Sequence, residues 1–398
     1  MNNMTHYGHK FGVRTWIEID KKAIKNNFNI FREFISSKTA LMAIVKSNAY
    51  GHGLIEFAKE MEKLGADFLG ADSIIEAIHL SQSGIKKPIL VLGYTMPGRI
   101  HEAQENNISL TVSSFEALKP IVAFKSGDPI SGRASGRSIK IHIKVDTGMH
   151  RQGFLPDDMK KVCEILKKNP GIVFEGIYTH FAMAKNPSFP QETNKQIGEF
   201  EKALKIVESF GFKPIRHASA TSGTLLYPVA HYDMVRIGIG LYGLWPSKEV
   251  QRVFTTRLKL EPVLSWKTII GEVKSLPAGG GVGYDLTEKL PKNSKIAVCP
   301  IGYWHGFGRV FSSVGNVLVK GERAKVLGRV SMDMITIDIS RIKNVKVGDE
   351  VVLIGRQAGK YLPAGRQEIT ADELAYLSDG VNYEIVTRIN PLIKRVYI

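Results

Sequence analysis

Lys46 is a residue whose type and place could do chemistry: it closes an apolar run, Ala40 to Val45, and is followed by Ser47-Asn48-Ala49-Tyr50-Gly51-His52-Gly53. An amine at the end of a buried strand can meet a ligand from a rigid support. Many strand-end lysines do no more than reach solvent. Four further positions carry a similar pair of readings. Lys144 stands in an alternation of Ile139, Ile141, Ile143 and Val145 against Lys140, His142, Lys144 and Asp146. Parity gives it to a polar or barrel-facing side, the plain alternative being a paired strand lysine. His180 closes another apolar run, and alone it reads as a core histidine more readily than as a catalyst. Gly238 would let the backbone approach an anion, or is simply a turn glycine. Tyr284 follows Gly279-Gly280-Gly281, where a loop aromatic packed on its neighbours is the plain alternative.

Such groups need elements to hold them. From Thr15 to about Gly243, short β-branched runs alternate with helical stretches, the pattern of βαβ units around a parallel sheet. The strand candidates are Ala40 to Lys46, Asp67 to Ala71, Ile89 to Gly93, Ser109 to Val112, Ile139 to Asp146, Phe174 to His180, Ile215 to Ser219 and Met234 to Ile239. Eight of them fit a (β/α)8 TIM-type barrel better than an open doubly wound sheet. Trp16 to Asp20 is expected to lead into the first helix. Beyond Arg257, strand-like runs separated by Gly/Pro turns predict an all-β domain. The fold class is therefore α/β plus β. The barrel is expected over 12–250 and the C-terminal β domain over 251–398, with residues 1–11 packing on the latter. Two Gly-rich inserts interrupt the plan. One is Ser126 to Ser138; in the other, Gly355-Arg356-Gln357 recurs as Gly365-Arg366-Gln367 around Ala358 to Ala364. Both read as exposed loops.

Composition narrows the class. A chain of 398 residues exceeds the size of one usual hydrophobic core. Its 43% hydrophobic and 23% charged content suits a soluble globular protein rather than a disordered or membrane one. Cys163 and Cys299 lie far apart in apolar segments, without metal-ligand spacing, so neither a disulfide nor a metal site is expected. The polar start of the chain has no signal-like apolar stretch, which predicts a cytoplasmic protein. The net charge of +16 raises nucleic acid as a partner. Pairs such as Lys21-Lys22 and Lys160-Lys161 are scattered over helices and turns, however, and no reader motif accompanies them. They read as solvated faces, with neither nucleic acid nor membrane as partner.

The string from Ala43 through Lys46 to Gly53 resembles the pyridoxal-phosphate attachment motif of the alanine racemases, enzymes of fold type III. Further matches follow in order: Asp146-Thr147-Gly148-Met149-His150-Arg151, Thr179-His180-Phe181-Ala182, Val235-Arg236-Ile237-Gly238-Ile239, Leu241-Tyr242-Gly243, Val282-Gly283-Tyr284, Pro300-Ile301-Gly302-Tyr303, Ser331-Met332-Asp333 and Tyr383-Glu384. Together they span nearly the whole chain outside the two inserts.

The resemblance implies an isomerase that interconverts L- and D-alanine, supplying D-alanine for cell-wall peptidoglycan. It implies pyridoxal 5'-phosphate, PLP, as cofactor, held as an imine on Lys46. An α-proton is too weakly acidic to leave at neutral pH unless its electrons enter a sink, which the cofactor ring provides. Lys46 and Tyr284 are then the two bases on opposite faces of Cα, and a phenol needs a nearby cation, Arg151, to act near neutrality. In the family the corresponding tyrosine enters the partner's barrel, so a homodimer with shared sites is implied. Tyr50, Thr221, Gly238, Ile239 and Tyr383 are placed on the cofactor, several of them at its phosphate. Arg236 faces the ring nitrogen, supported by His180. A guanidinium cannot readily accept a proton, so the ring becomes a weaker sink and side reactions should be fewer. Met332 and Asp333 frame the substrate carboxylate beside Arg151, and Tyr303 narrows the pocket mouth. Some members carbamylate the residue matching Lys144, which would fix Arg151.

The chain departs from the family pattern at Ala220-Thr221, where Asn-Ser is usual; at Ser331, usually Cys; and at Lys185, usually acidic. Competing readings are a broader-specificity or serine racemase, a related-fold decarboxylase, and a non-catalytic PLP carrier. The last would lack the β domain and the second base.

Overall fold

The computed structural model describes residues 12–124, 138–357 and 367–398. The segment 1–11 and most of both inserts lie outside the described residues. Contacts divide the chain into two units. One holds Ala23–Ala49 and Leu54–Glu261; the other holds Pro262–Ile398 together with Tyr50–Gly53 and the chain up to Lys22.

The segment Trp16 to Asp20 leads into the first helix as expected, and most of it forms strand β1, Thr15–Ile19. All five of its residues are buried, because it lies between β10, Leu264–Ile269, and β20, Lys394–Tyr397. Its partners lie hundreds of residues downstream, so nothing local distinguishes this strand from a lead-in to the helix α1, Lys21–Phe34. That helix buries Ala23, Ile24, Asn27, Phe28 and Phe31, one face at helical spacing.

The first unit is the eight-stranded parallel barrel that the apolar runs predict. Its strands are β2 (Ala40–Ile44), β3 (Phe68–Ala71), β4 (Ile89–Val91), β5 (Ser109–Val112), β6 (Ile139–Lys144), β7 (Ile172–Tyr178), β8 (Ile215–His217) and β9 (Met234–Ile237). They pair in sequence order, and β2 also pairs with β9. The ring closes through Asp233 N–H donating to Arg216 O at 3.1 Å and Arg236 N–H to Ser219 O at 2.9 Å. Serine hydroxyls start several of the helices between strands: Ser73 accepts from Glu76 N–H and Ser114 from Ala117 N–H. Among the described residues no helix is long and apolar enough to cross a membrane.

The second unit is built mostly of strands: β10, β11 (Glu272–Leu276), β12 (Gly281–Val282), β13 (Glu288–Lys289), β14 (Ser294–Cys299), β15 (Asn316–Val319), β16 (Glu322–Leu327), β17 (Ile335–Asp338), β18 (Glu350–Gln357), β19 (Gln367–Ile369) and β20. Pairing is antiparallel except between β1 and β20. Two short helices, Ala371–Leu377 and Asn382–Thr387, follow β19. At its centre Lys267 lies 2.8 Å from Glu18 and 3.2 Å from Glu350. Burial opposes the charge of this lysine, yet the two carboxylates hold its pKa above the ordinary value.

Candidate active site

Lys46 lies two residues past the end of β2, and its Nζ is 3.1 Å from Asp72 Oδ1, just past the end of β3. After it the chain makes a left-handed turn that L residues rarely adopt: φ is 55° at Ser47, 55° at Asn48, 50° at Ala49 and 50° at Tyr50. Each such residue costs about 1–2 kcal/mol, so the surroundings must impose the turn. Glu76 Oε1 accepts from Asn48 N–H at 3.0 Å, and Asn48 Oδ1 accepts from Leu54 N–H at 2.9 Å. Strain of this kind concentrates where geometry matters to function. Tyr242 completes the support, its hydroxyl donating to Ile44 O at 2.8 Å.

Past the ends of β6 and β7 the barrel gathers cations. Lys144 is buried, donates to Gln152 Oε1 at 3.2 Å, and lies over the Tyr178 ring. Burial pulls its pKa down to about 8, with Arg151, Arg236 and Lys46 adding to the effect and Asp146 opposing it. Arg151 is exposed at the end of a turn organised by Asp146, whose Oδ1 accepts from Gly148, Met149 and His150 N–H. Burial opposes the Asp146 charge, but the backbone donors and His150 hold the carboxyl below its usual range. His180 is lowered to about 3, first by burial and then by Arg236, Arg151, Lys144 and Lys46.

Arg236 projects from β9 and is 3% exposed. It donates to Thr179 O and Ala218 O, each at 2.7 Å, and to His217 Nδ1 at 2.9 Å, with His180 Nδ1 at 3.3 Å. Its guanidinium lies 5.2 Å from the centre of the Tyr178 ring. No carboxylate among the described residues pairs with it, and burial pulls its pKa down to about 10. Next to it, the Thr221 hydroxyl accepts from Gly238 N–H at 3.3 Å and Gly240 N–H at 3.4 Å, which gathers a hydroxyl and the backbone of the loop through Ile239 after β9. Gly240 is required here: a Cβ would lie 2.3 Å from Phe31.

The other expected residues sit on the second unit. Tyr284 occupies a short turn, Tyr284–Leu286, behind Gly283 at φ 74° and before Asp285 at φ 59°. Arg329 holds Asp285 at 2.9 Å. Tyr303 and Met332 are neighbours through the backbone, because Tyr303 N–H donates to Ser331 O and Trp304 N–H to Met332 O. Asp333 lies 3.9 Å from His305. Tyr284, Tyr303, Trp304 and Met332 are all exposed, Tyr284 by 68%. Tyr50 and Tyr383 face each other with ring centres 6.1 Å apart.

The structure thus brings Lys46, Lys144, Arg151, His180, Thr221, Arg236, Gly238 and Ile239 to the strand ends of the barrel. Sequence reasoning missed Asp72, Tyr178, His217, His142 and Glu175. The parity of β6, which put His142 beside Lys144, was the available signal for one of them.

A (β/α)8 barrel with a lysine at the end of its first strand, joined to a strand-rich unit, defines a class of two-unit barrel enzymes. Two family models cover the chain: "Alanine racemase, N-terminal domain" over residues 19–246 and "Alanine racemase, C-terminal domain" over residues 263–397. Among curated relatives, the alanine racemase of Methanococcus maripaludis is 41% identical over 387 residues, 96% of this chain and 98% of the relative. That of Symbiobacterium thermophilum is 39% identical over 388 residues, 97% and 98% of the two chains. A crystal structure of alanine racemase from Bacillus anthracis with bound L-Ala-P has a TM-score of 0.88 at 36% identity, covering 97% of this chain and 95% of that one. The alanine racemase of Clostridium difficile gives 0.87 at 34%, covering 97% and 96%. The chain belongs to the alanine racemase family, the family its residues resemble, and with it to the isomerases that act as amino-acid racemases.

Proposed function

We propose that the chain interconverts L-alanine and D-alanine with pyridoxal 5'-phosphate held covalently on Lys46, and so supplies D-alanine for cell-wall peptidoglycan. The observation that carries this reading is a strand-end amine sharing a barrel mouth with a buried guanidinium that no carboxylate among the described residues pairs with. The donor set fits the group. Lys46 offers the amine and Arg236 a cation for the ring nitrogen, while for a phosphate Thr221 offers its hydroxyl proton and the loop of Gly238 and Ile239 its backbone N–H groups, that of Gly238 by exchanging its bond to Thr221 Oγ1. Tyr50, His180 and Tyr383 complete the contacts. When bound, the cofactor supplies the electron sink that makes an α-proton acidic.

The chain's own residues do the rest. Lys46 Nζ takes or returns the proton on one face of Cα, and the Tyr284 hydroxyl of the partner subunit serves the other. Arg151 and Met332 with Asp333 of the partner subunit hold the substrate carboxylate, and Tyr303 of the partner subunit limits its side chain. The working form is a homodimer with two shared sites, located in the cytoplasm. The exposed Tyr284, Tyr303, Trp304 and Met332 support an interface there, since exposed large apolar side chains grouped on one face mark association surfaces.

Solvent-deuterium exchange into L- and D-alanine by the cofactor-loaded chain tests this reading. Wild type should label both enantiomers. Lys46→Ala should label neither, and Tyr284→Phe should lose about 10²–10⁴-fold in racemisation. An imine absorbance without any deuterium in alanine would favour a non-catalytic carrier instead.

Lys144 is carbamylated on this reading. A pKa of about 8 leaves part of the amine neutral near pH 7, ready to add carbon dioxide and release one proton. The product is an anion among Arg151, Arg236 and Lys46, so a like-charge cluster becomes an ion pair. Carbon-13 bicarbonate should give a carbamate resonance that Lys144→Ala abolishes.

A further inference from the structure

Arg236 is a buried cation that no carboxylate among the described residues touches, yet a directed line of hydrogen bonds joins it to Glu175. A guanidinium only donates, so His217 Nδ1, 2.9 Å away, must be a bare acceptor. The proton of a neutral His217 is then on Nε2, which lies 2.9 Å from His142 Nδ1. His142 in turn must accept at Nδ1 and carry its proton on Nε2, 3.0 Å from Glu175 Oε2. The donor-only guanidinium at one end and the carboxylate at the other require the same direction at every step of the line. Burial favours the neutral form of both imidazoles, since their pKa values are lowered chiefly by desolvation.

The backbone is built around this line. Across β6 and β7 the register runs Ile141 to Phe174 and then His142 to Gly176, so Glu175 is an extra residue that one strand carries and the other does not. Such bulges re-aim a side chain. Here Phe174 packs on Phe212 while Glu175 reaches His142. The glycine after the bulge makes the space, because a Cβ on Gly176 would lie 2.2 Å from His142 Nδ1. Tyr178 stacks flat on His217, with centres 4.7 Å apart and planes 9° from parallel.

We propose that Glu175 and His142 are positioning residues for Arg236: through two imidazoles of fixed tautomer, the carboxylate keeps His217 Nδ1 bare and so holds the guanidinium as an oriented donor at the strand-end face. The service to the cofactor ring rests on the function proposed above; the tautomers do not.

Nitrogen-15 spectra of the histidine-labelled full chain without cofactor test the relay. Wild type should show His142 and His217 neutral, each with its proton on Nε2. Glu175→Leu removes the last acceptor and strands the His142 Nε2 proton, so Nδ1–H forms of His142 and His217 should become populated at the expense of the Arg236 hydrogen bond, with about tenfold lower turnover in the loaded enzyme and an unchanged KM for alanine. Glu175→Gln keeps an acceptor oxygen and should restore both tautomers and most of the turnover. His142→Gln can accept from His217 and donate to Glu175, so His217 should keep its proton on Nε2. A wild-type His217 protonated on Nδ1, or a His217 tautomer indifferent to Glu175→Leu, would overturn the proposal. Should Glu175→Leu not fold, the wild-type spectrum and His142→Gln decide it. Correct tautomers in a chain that leaves alanine unlabelled would overturn the function and leave the relay standing.

Discussion

The barrel mouth and the Tyr284 face of the second unit are opposite solutions to holding a reactive group. Arg236 is 3% exposed and its donors end on carbonyls and imidazoles fixed by neighbouring strands. Tyr284 is 68% exposed on a turn with three positive-φ residues, Gly283, Asp285 and Leu286, and one ion pair. A buried cation needs every partner in place before anything binds, because an unpaired one is costly. An exposed phenol with large apolar neighbours gains its environment only when another surface covers it. On the proposed function, the first region is complete within one chain, while the second is half of a shared site.

The largest way to break this comparison is at Lys46, where Lys46→Ala should abolish exchange of both enantiomers without disturbing the buried network. Next comes the network itself. Arg236→Met leaves His217 Nδ1, Thr179 O and Ala218 O without their donor, at about 1–3 kcal/mol for each orphaned group. Thermal unfolding of the chain without cofactor should fall by several degrees, whereas Tyr284→Phe should leave it unchanged.

A smaller effect separates the regions by pH. His142 and His217 have folded pKa values below the ordinary 6.5, so the unfolded chain takes up their protons first. The stability their neutral forms contribute is complete above that value and is lost as pH falls, by about 1.4 kcal/mol per pH unit for each ring. Denaturant titrations from neutral pH downward should show this slope, and His142→Gln should remove one proton's share of it.

The barrel was legible because its strands are buried on both sides and read as continuous β-branched runs. Lys46 was legible as the end of such a run. Strand β1 was not, since Thr15–Ile19 gains its role from β10 and β20 at the far end of the chain. Glu175 was not legible either. Period-two parity gives it the face of Ile177, and only the added residue in β7 turns it toward His142. His142 itself shared the parity of Lys144, but parity names a face and not a partner. Asp72 pairs with Lys46 across a strand boundary that spacing does not record.

The decisive measurement is complementation between Lys46→Ala and Tyr284→Phe chains, each inactive alone, mixed and reassembled with cofactor. If Tyr284 of the partner subunit completes each barrel mouth, a mixed dimer has one intact site, and an equal mixture should recover about a quarter of wild-type racemase activity. No recovery from a mixture shown to contain the mixed dimer would contradict the shared site.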